Sequence, residues 1–155
     1  LVYTNYKQID GIQGLLADRG VIQHKFTNEE DSDERQQLLS GFADGRYDAL
    51  VAMKCLDEGV DVPSTKQAIL MSNSKNPKQF VQRRGRVLRQ HEGKDRAEIY
   101  DMIVVPSLNP NQELVESERG ILRGELERFT EFAETAENGI DAKLAIQRLR
   151  TAYEV

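Results

Sequence analysis

Five short β-rich runs alternate with stretches of helical character, and that alternation restricts the chain to one class of fold. "LVYTN" (1–5), "VIQHKFT" (21–27), "YDALVAM" (47–53), "QAILMS" (67–72) and "AEIYDMIVV" (97–105) read as strands. Between the first two lies a helical pattern from Tyr6 to Gly20, with Ile9, Ile12, Leu15 and Leu16 near helical spacing and Gly20 as the stop. The next, 31–45, opens on Asp31 and Glu34, the spacing of a capping box. Leu38, Leu39 and Phe42 form its apolar face, and Gly45 ends it. Asn76 and Pro77 mark the start of a third helix. Strands joined by helical crossovers imply an α/β domain: a parallel sheet with helices on both faces.

After Pro106 the pattern changes. "SLNPN" is a turn-rich link, and Gln112 to Glu137 reads as a long charged helix with Leu114, Ile121, Leu122, Leu126 and Phe129 on one side. "NG" at 138–139 breaks it, and Asp141 is the expected cap of a last helix carrying Leu144, Ile146 and Leu149. The expected division is therefore an α/β domain over 1–106 and a helical extension over 107–155. The extension either packs on its own domain or faces a partner.

No apolar run nears the roughly 20 residues that span a bilayer, and no signal-peptide pattern opens the chain. The single cysteine, Cys55, excludes an internal disulfide and a cysteine-built zinc site. A reducing, cytoplasmic setting is the simplest expectation. The chain opens on Leu1, inside an apolar run, and so reads as part of a longer protein.

Charge is unevenly spread. The net charge is −5, yet residues 75–96 hold eight basic side chains against two acidic ones, so that window carries +6 and the remainder −11. Within it, "FVQRRGRVLRQ" (80–90) places four arginines in seven positions. On a helical wheel with Gln82 at 0°, Arg86 falls at about 40°, Arg89 at about 340° and Gln79 near 60°. Phe80, Val81, Val87 and Leu88 occupy the opposite side. The helix therefore presents two guanidinium forks one turn apart, beside a glutamine amide. Such forks match phosphate oxygens; the plainer alternative is a solvated basic face. Gly85 costs about 1 kcal/mol inside a helix relative to alanine, which favours a close approach of backbone or ligand. Arg84, at about 200°, sits in the apolar stripe: either its head snorkels out or the helix bends near Gly85. His24 and His91 show no partner in the sequence and read as strand or surface histidines.

"QRRGRVLR" (82–89) resembles motif VI of superfamily 2 helicases, in their second, C-terminal RecA-like domain. "VAMKCLDEGVDVP" (51–63) resembles their motif V, and "LVYTN" their motif IV, in the same order over residues 1 to about 105. The wording is closest to the XPB-like and restriction-translocase-like branches. The resemblance implies a RecA-like parallel sheet and a motor domain of an ATP-dependent DNA helicase or translocase. It implies that Arg86 and Arg89 reach ATP phosphates and that Gln82 helps sense the γ-phosphate. It places Asp61, with Gly59 and less firmly Glu58, near the nucleotide. By the same resemblance Thr4, Asn5, Thr27, Lys54, Ser72 and Asn73 contact the nucleic-acid backbone. Met53 and Lys54 depart from the hydroxyl or acidic residue many relatives carry early in motif V, although Lys54 could meet a phosphate directly. Duplex DNA is the implied partner, with RNA the open alternative.

There is no G-x-x-x-x-G-K-[ST] and no acidic metal-binding strand motif. No metal site is expected in this chain, and ATP with its Mg is expected to be held mainly by a preceding N-terminal RecA-like domain. This piece alone should be inactive. The rival expectations are a catalytically silent, helicase-derived module that binds nucleic acid or protein, and an unrelated α/β scaffold that binds another phosphate compound.

Overall fold

The computed structural model describes residues 1–53, 62, 65–71, 92–106 and 115–155. The chain divides into two compact units, Leu1–Met102 and Ile103–Val155.

The first unit holds β1 (Val2–Tyr3), α1 (Ile9–Ala17), β2 (Gln23–Phe26), α2 (Ser32–Ala43), β3 (Ala49–Ala52), β4 (Gln67–Leu70) and β5 (Glu98–Asp101). The five strands form one sheet in the order β2-β3-β1-β4-β5, and every pairing is parallel. β3 has all four residues buried, which is why it reads as an unbroken apolar run: a parallel strand in mid-sheet is covered on both faces. Phe26 of β2 and Leu50 and Val51 of β3 are fully buried, each contributing about 1.5–3 kcal/mol relative to exposure.

The crossovers fix where the helices lie. From β1 the chain moves across the sheet to β2, then returns one place to β3. Right-handed crossovers running in opposite directions put α1 and α2 on opposite faces. α1 packs Ile9 and Ile12 on Val2, Val51 and Met53, with Leu16 and Met71 at the margin of the cluster. Leu15, expected on the same face, is exposed, because the stripe through 9, 12 and 16 leaves it at the rim.

Helix ends follow the sequence signals closely in α2. Asp31 Oδ1 accepts from the amides of Asp33 and Glu34, both at 2.9 Å, and Glu34 Oε2 accepts from the Asp31 amide at 3.2 Å. This is the expected capping box. Gly45, at φ +75°, takes the left-handed conformation that lets the chain turn out of the helix. Gly41 is required by proximity: a Cβ there would stand 2.7 Å from the Tyr47 ring. α1 begins three residues later than its periodicity suggests, because Tyr6 to Gln8 are held in a turn.

The second unit contains α3 (Glu116–Ala133) and α4 (Gly139–Tyr153). Its core joins Leu122, Leu126, Ile146 and Tyr153, with Ile103, Phe129, Leu149 and Val155 packed around them. The Tyr153 hydroxyl donates to the Pro106 carbonyl at 2.6 Å, fastening the end of α4 to the segment before α3. Two expectations are corrected here. Ile121 is exposed rather than core-facing, since it lies about 100° off the stripe through Leu122, Leu126, Phe129 and Ala133. Asp141 lies inside the first turn of α4, which already starts at Gly139, so it is not the cap. The expected third helix around 76–90 and Leu114 lie outside the described residues.

Candidate functional site

Register aligns the carboxyl ends of all five strands. Tyr3 pairs with Ala52 and Leu70, Ala52 with Phe26, and Leu70 with Asp101. The next residue of each strand therefore forms a second row, in spatial order Thr27, Met53, Thr4, Met71, Met102. Amide hydrogen bonds continue into that row: Thr4 to the Ala52 carbonyl at 2.9 Å, Met53 to Phe26 at 3.1 Å, Met71 to Tyr3 at 2.9 Å and Met102 to Leu70 at 3.0 Å. Strand ends that finish level make a flat carboxyl edge, the side on which open parallel sheets bind ligands.

Strand order also locates the switch point on that edge. β1 and β3 are neighbours, but β1 leads to β2 on one side and β3 leads to β4 on the other. Connections that leave adjacent strands in opposite directions open a crevice between them. The motif V segment (51–63) begins within β3, which ends at this place. Motif IV, through Thr4 and Asn5, leaves from the adjacent strand.

The described candidates are held as follows. Thr4 is 1 % exposed, and its hydroxyl donates to Gln8 Oε1 at 3.3 Å. Asn5 Nδ2 donates to the same oxygen at 2.8 Å, while Asn5 Oδ1 accepts the Lys7 amide at 2.9 Å. Thr27 is 3 % exposed. Its amide donates to Glu30 Oε2 at 2.7 Å, and its hydroxyl lies 3.0 and 3.2 Å from the two Glu30 carboxylate oxygens. The same hydroxyl accepts the Glu29 amide at 3.1 Å. Both threonine hydroxyls are thus engaged within the chain, and each one braces the turn that follows its strand.

Glu30 and Gln8 were not singled out from sequence. The signal was present: T-x-x-E places a carboxylate where it reaches back to a preceding backbone amide, and Thr4-x-x-x-Gln8 spans one turn. Arg86, Arg89, Gln82, Gly59, Asp61, Glu58, Lys54, Ser72 and Asn73 lie outside the described residues.

Two lysines among the described residues have shifted titration. Lys25 Nζ donates to Asp10 Oδ1 at 2.5 Å, and this hydrogen bond raises the ammonium above its ordinary range. Burial lowers Lys94, within the basic window. His24 stacks obliquely on Tyr47, with ring centroids 5.6 Å apart, in keeping with a strand histidine. Among the described residues no group of three or more His, Cys, Asp or Glu side chains could hold a metal ion, and no helix is long and apolar enough to cross a membrane.

Residues 1–91 match the family described as Helicase conserved C-terminal domain. The DNA 3'-5' translocase XPB2 of Sulfurisphaera tokodaii is 46 % identical over 66 residues, 43 % of this chain and 15 % of that protein. UvrABC system protein B of Francisella tularensis is 28 % identical over 107 residues, 66 % of this chain and 16 % of that one. The chain thus spans about 15 % of the length of these curated relatives. In fold it is similar to the C-terminal domain of the DEAD-box protein Dbp5, with a TM-score of 0.57 over 83 % of this chain and 67 % of that one, at 19 % identity. A parallel sheet of this order, carrying motifs IV, V and VI in sequence and matched over more than half its length, belongs to the C-terminal domain family of the superfamily 2 helicases, in its XPB-like wording.

Proposed function

We propose that this chain is the C-terminal half of an ATP-driven DNA motor. Residues 1–106 act as the motor domain, and residues 107–155 as a helical extension of it. ATP and magnesium are held mainly by an N-terminal RecA-like domain of the same protein. Arg86 and Arg89 reach across to the phosphates as arginine fingers, with Gln82 beside the γ-phosphate and Asp61, Gly59 and Glu58 near the nucleoside. Thr4, Asn5, Thr27, Lys54, Ser72 and Asn73 line the carboxyl edge along which the backbone of duplex DNA passes. The setting is a reducing cytoplasm.

The observation that carries this reading is the switch point on the carboxyl edge. Motifs IV and V leave adjacent strands there, in a chain whose family match runs through motif VI. Two guanidinium groups aimed at a transferring phosphoryl group stabilise the charge that develops on its oxygens. Hydrolysis and release then change the balance between closed and open arrangements of the two lobes, which is what stepwise movement requires.

The test is DNA-stimulated ATP turnover of the full-length protein with Arg86→Ala and Arg89→Ala. Each is expected to lose turnover on the order of 10³-fold or more, with DNA binding retained. Unchanged turnover removes the motor reading and leaves a module that only binds.

A further inference from the structure

Tyr6 is a large aromatic residue left 76 % exposed directly beyond the end of the central strand β1. Its ring is a large apolar surface with a polar tip. The turn that carries it is tied down. The Asn5 carbonyl accepts the amides of Gln8 and Ile9, at 3.1 and 3.2 Å, and the Asn5 side chain bonds both the Lys7 amide and the Gln8 side chain. Gln8 in turn holds the buried Thr4 hydroxyl. The turn is therefore fixed to the sheet at one end and to the start of α1 at the other, with Tyr6 and Lys7 outward.

Among the described residues its charged neighbours nearly cancel: Asp10 is paired with Lys25, Glu29 lies near that lysine, and Lys7 adds one further exposed cation. These described neighbours add little net attraction for a polyanion. What the turn offers is an exposed aromatic face two residues beyond Thr4, the β1 member of the carboxyl-edge row.

We propose that Tyr6 is a stacking platform for one unpaired base of a DNA single strand lying along the carboxyl edge. This rests on the reading that DNA crosses that edge, and goes beyond backbone contact to a base. Stacking on an aromatic side chain is sequence-tolerant, because every base has a π-face. A duplex hides its faces, so Tyr6 engages only where the strands are apart. A ring held in advance loses little freedom on binding. Lys7 supplies a phosphate contact next to the stacked base.

The test uses the full-length protein and a single-stranded oligonucleotide carrying 2-aminopurine, whose fluorescence falls on stacking, with the matching duplex as the control. Tyr6→Ala and Tyr6→Leu are expected to weaken single-strand binding by roughly 5- to 150-fold and to restore the fluorescence, with Tyr6→Phe within about twofold of wild type. Because no phosphate contact is removed, the slope of log affinity against log salt stays the same in these variants, whereas Lys7→Ala reduces it by about 0.7. Tyr6 is exposed, so the variants keep the fold, and circular dichroism checks that they do. Single-strand binding by Tyr6→Leu equal to wild type overturns the proposal. So does a raised KM for ATP in Tyr6→Ala with unchanged single-strand affinity, which would assign the ring to the nucleotide's adenine. Wild-type protein that binds only duplex overturns the stacking role and spares the motor reading; wild-type protein that binds no DNA sinks both.

Discussion

Replacing Glu30 by alanine should loosen the carboxyl edge at β2, and the structure sets the size of the effect. Glu30 accepts the buried Thr27 amide at 2.7 Å and stands 3.0 Å from the Thr27 hydroxyl. Hydrogen bonds to a charged acceptor are each worth about 1.5–3 kcal/mol, and a buried donor left without one costs about 1–3 kcal/mol. The loss is less than the sum, because Asn28 and Glu29 are exposed and let water reach the turn. Glu30→Ala is therefore expected to cost about 2 kcal/mol. With a urea m-value of about 2 kcal/mol/M, the unfolding midpoint of the 155-residue chain falls by about 1 M. Glu30→Gln keeps one acceptor oxygen and should lose about half as much. Thr27→Val removes the hydroxyl alone, and the Thr27→Val/Glu30→Gln cycle should show coupling of about 0.5 kcal/mol or more, since the two side chains touch. A Glu30→Ala midpoint within about 0.2 M of wild type would refute the bracing role, and with it the reason given for the burial of Thr27.

A further outcome concerns stability. The Thr65 side chain is fully buried and its hydroxyl has no hydrogen-bond partner among the described residues, so Thr65→Val should raise stability by about 1 kcal/mol in urea unfolding; a fall of that size would mean the hydroxyl is satisfied after all.

Much of this molecule is written locally. The alternation of β-rich runs with helices fixed a parallel α/β sheet, because each run buries on both faces only if helices cover it. Asp31 and Glu34 announced the start of α2, since a capping box needs nothing beyond three residues of spacing. Motifs IV, V and VI carried the family, and residues 1–91 match it. Local signals were weaker at the ends of elements. Ile121 shares a helix with Leu122, but which of them faces α4 depends on the partner helix and not on α3 alone.

What pairing decides could not be read along the chain. Nothing in "LVYT" states that β1 lies between β3 and β4, so the switch point where motifs IV and V leave the sheet exists only once non-local strands have paired. The level row from Thr27 to Met102 is a property of register, which the strands set jointly. By resemblance Thr4 and Thr27 are nucleic-acid contacts; only the tertiary structure shows that both are buried and that Gln8 and Glu30 engage their hydroxyls. Tyr6 looked like the first residue of a helix until the Asn5 turn, fixed to the sheet on one side and to α1 on the other, left its ring in the open.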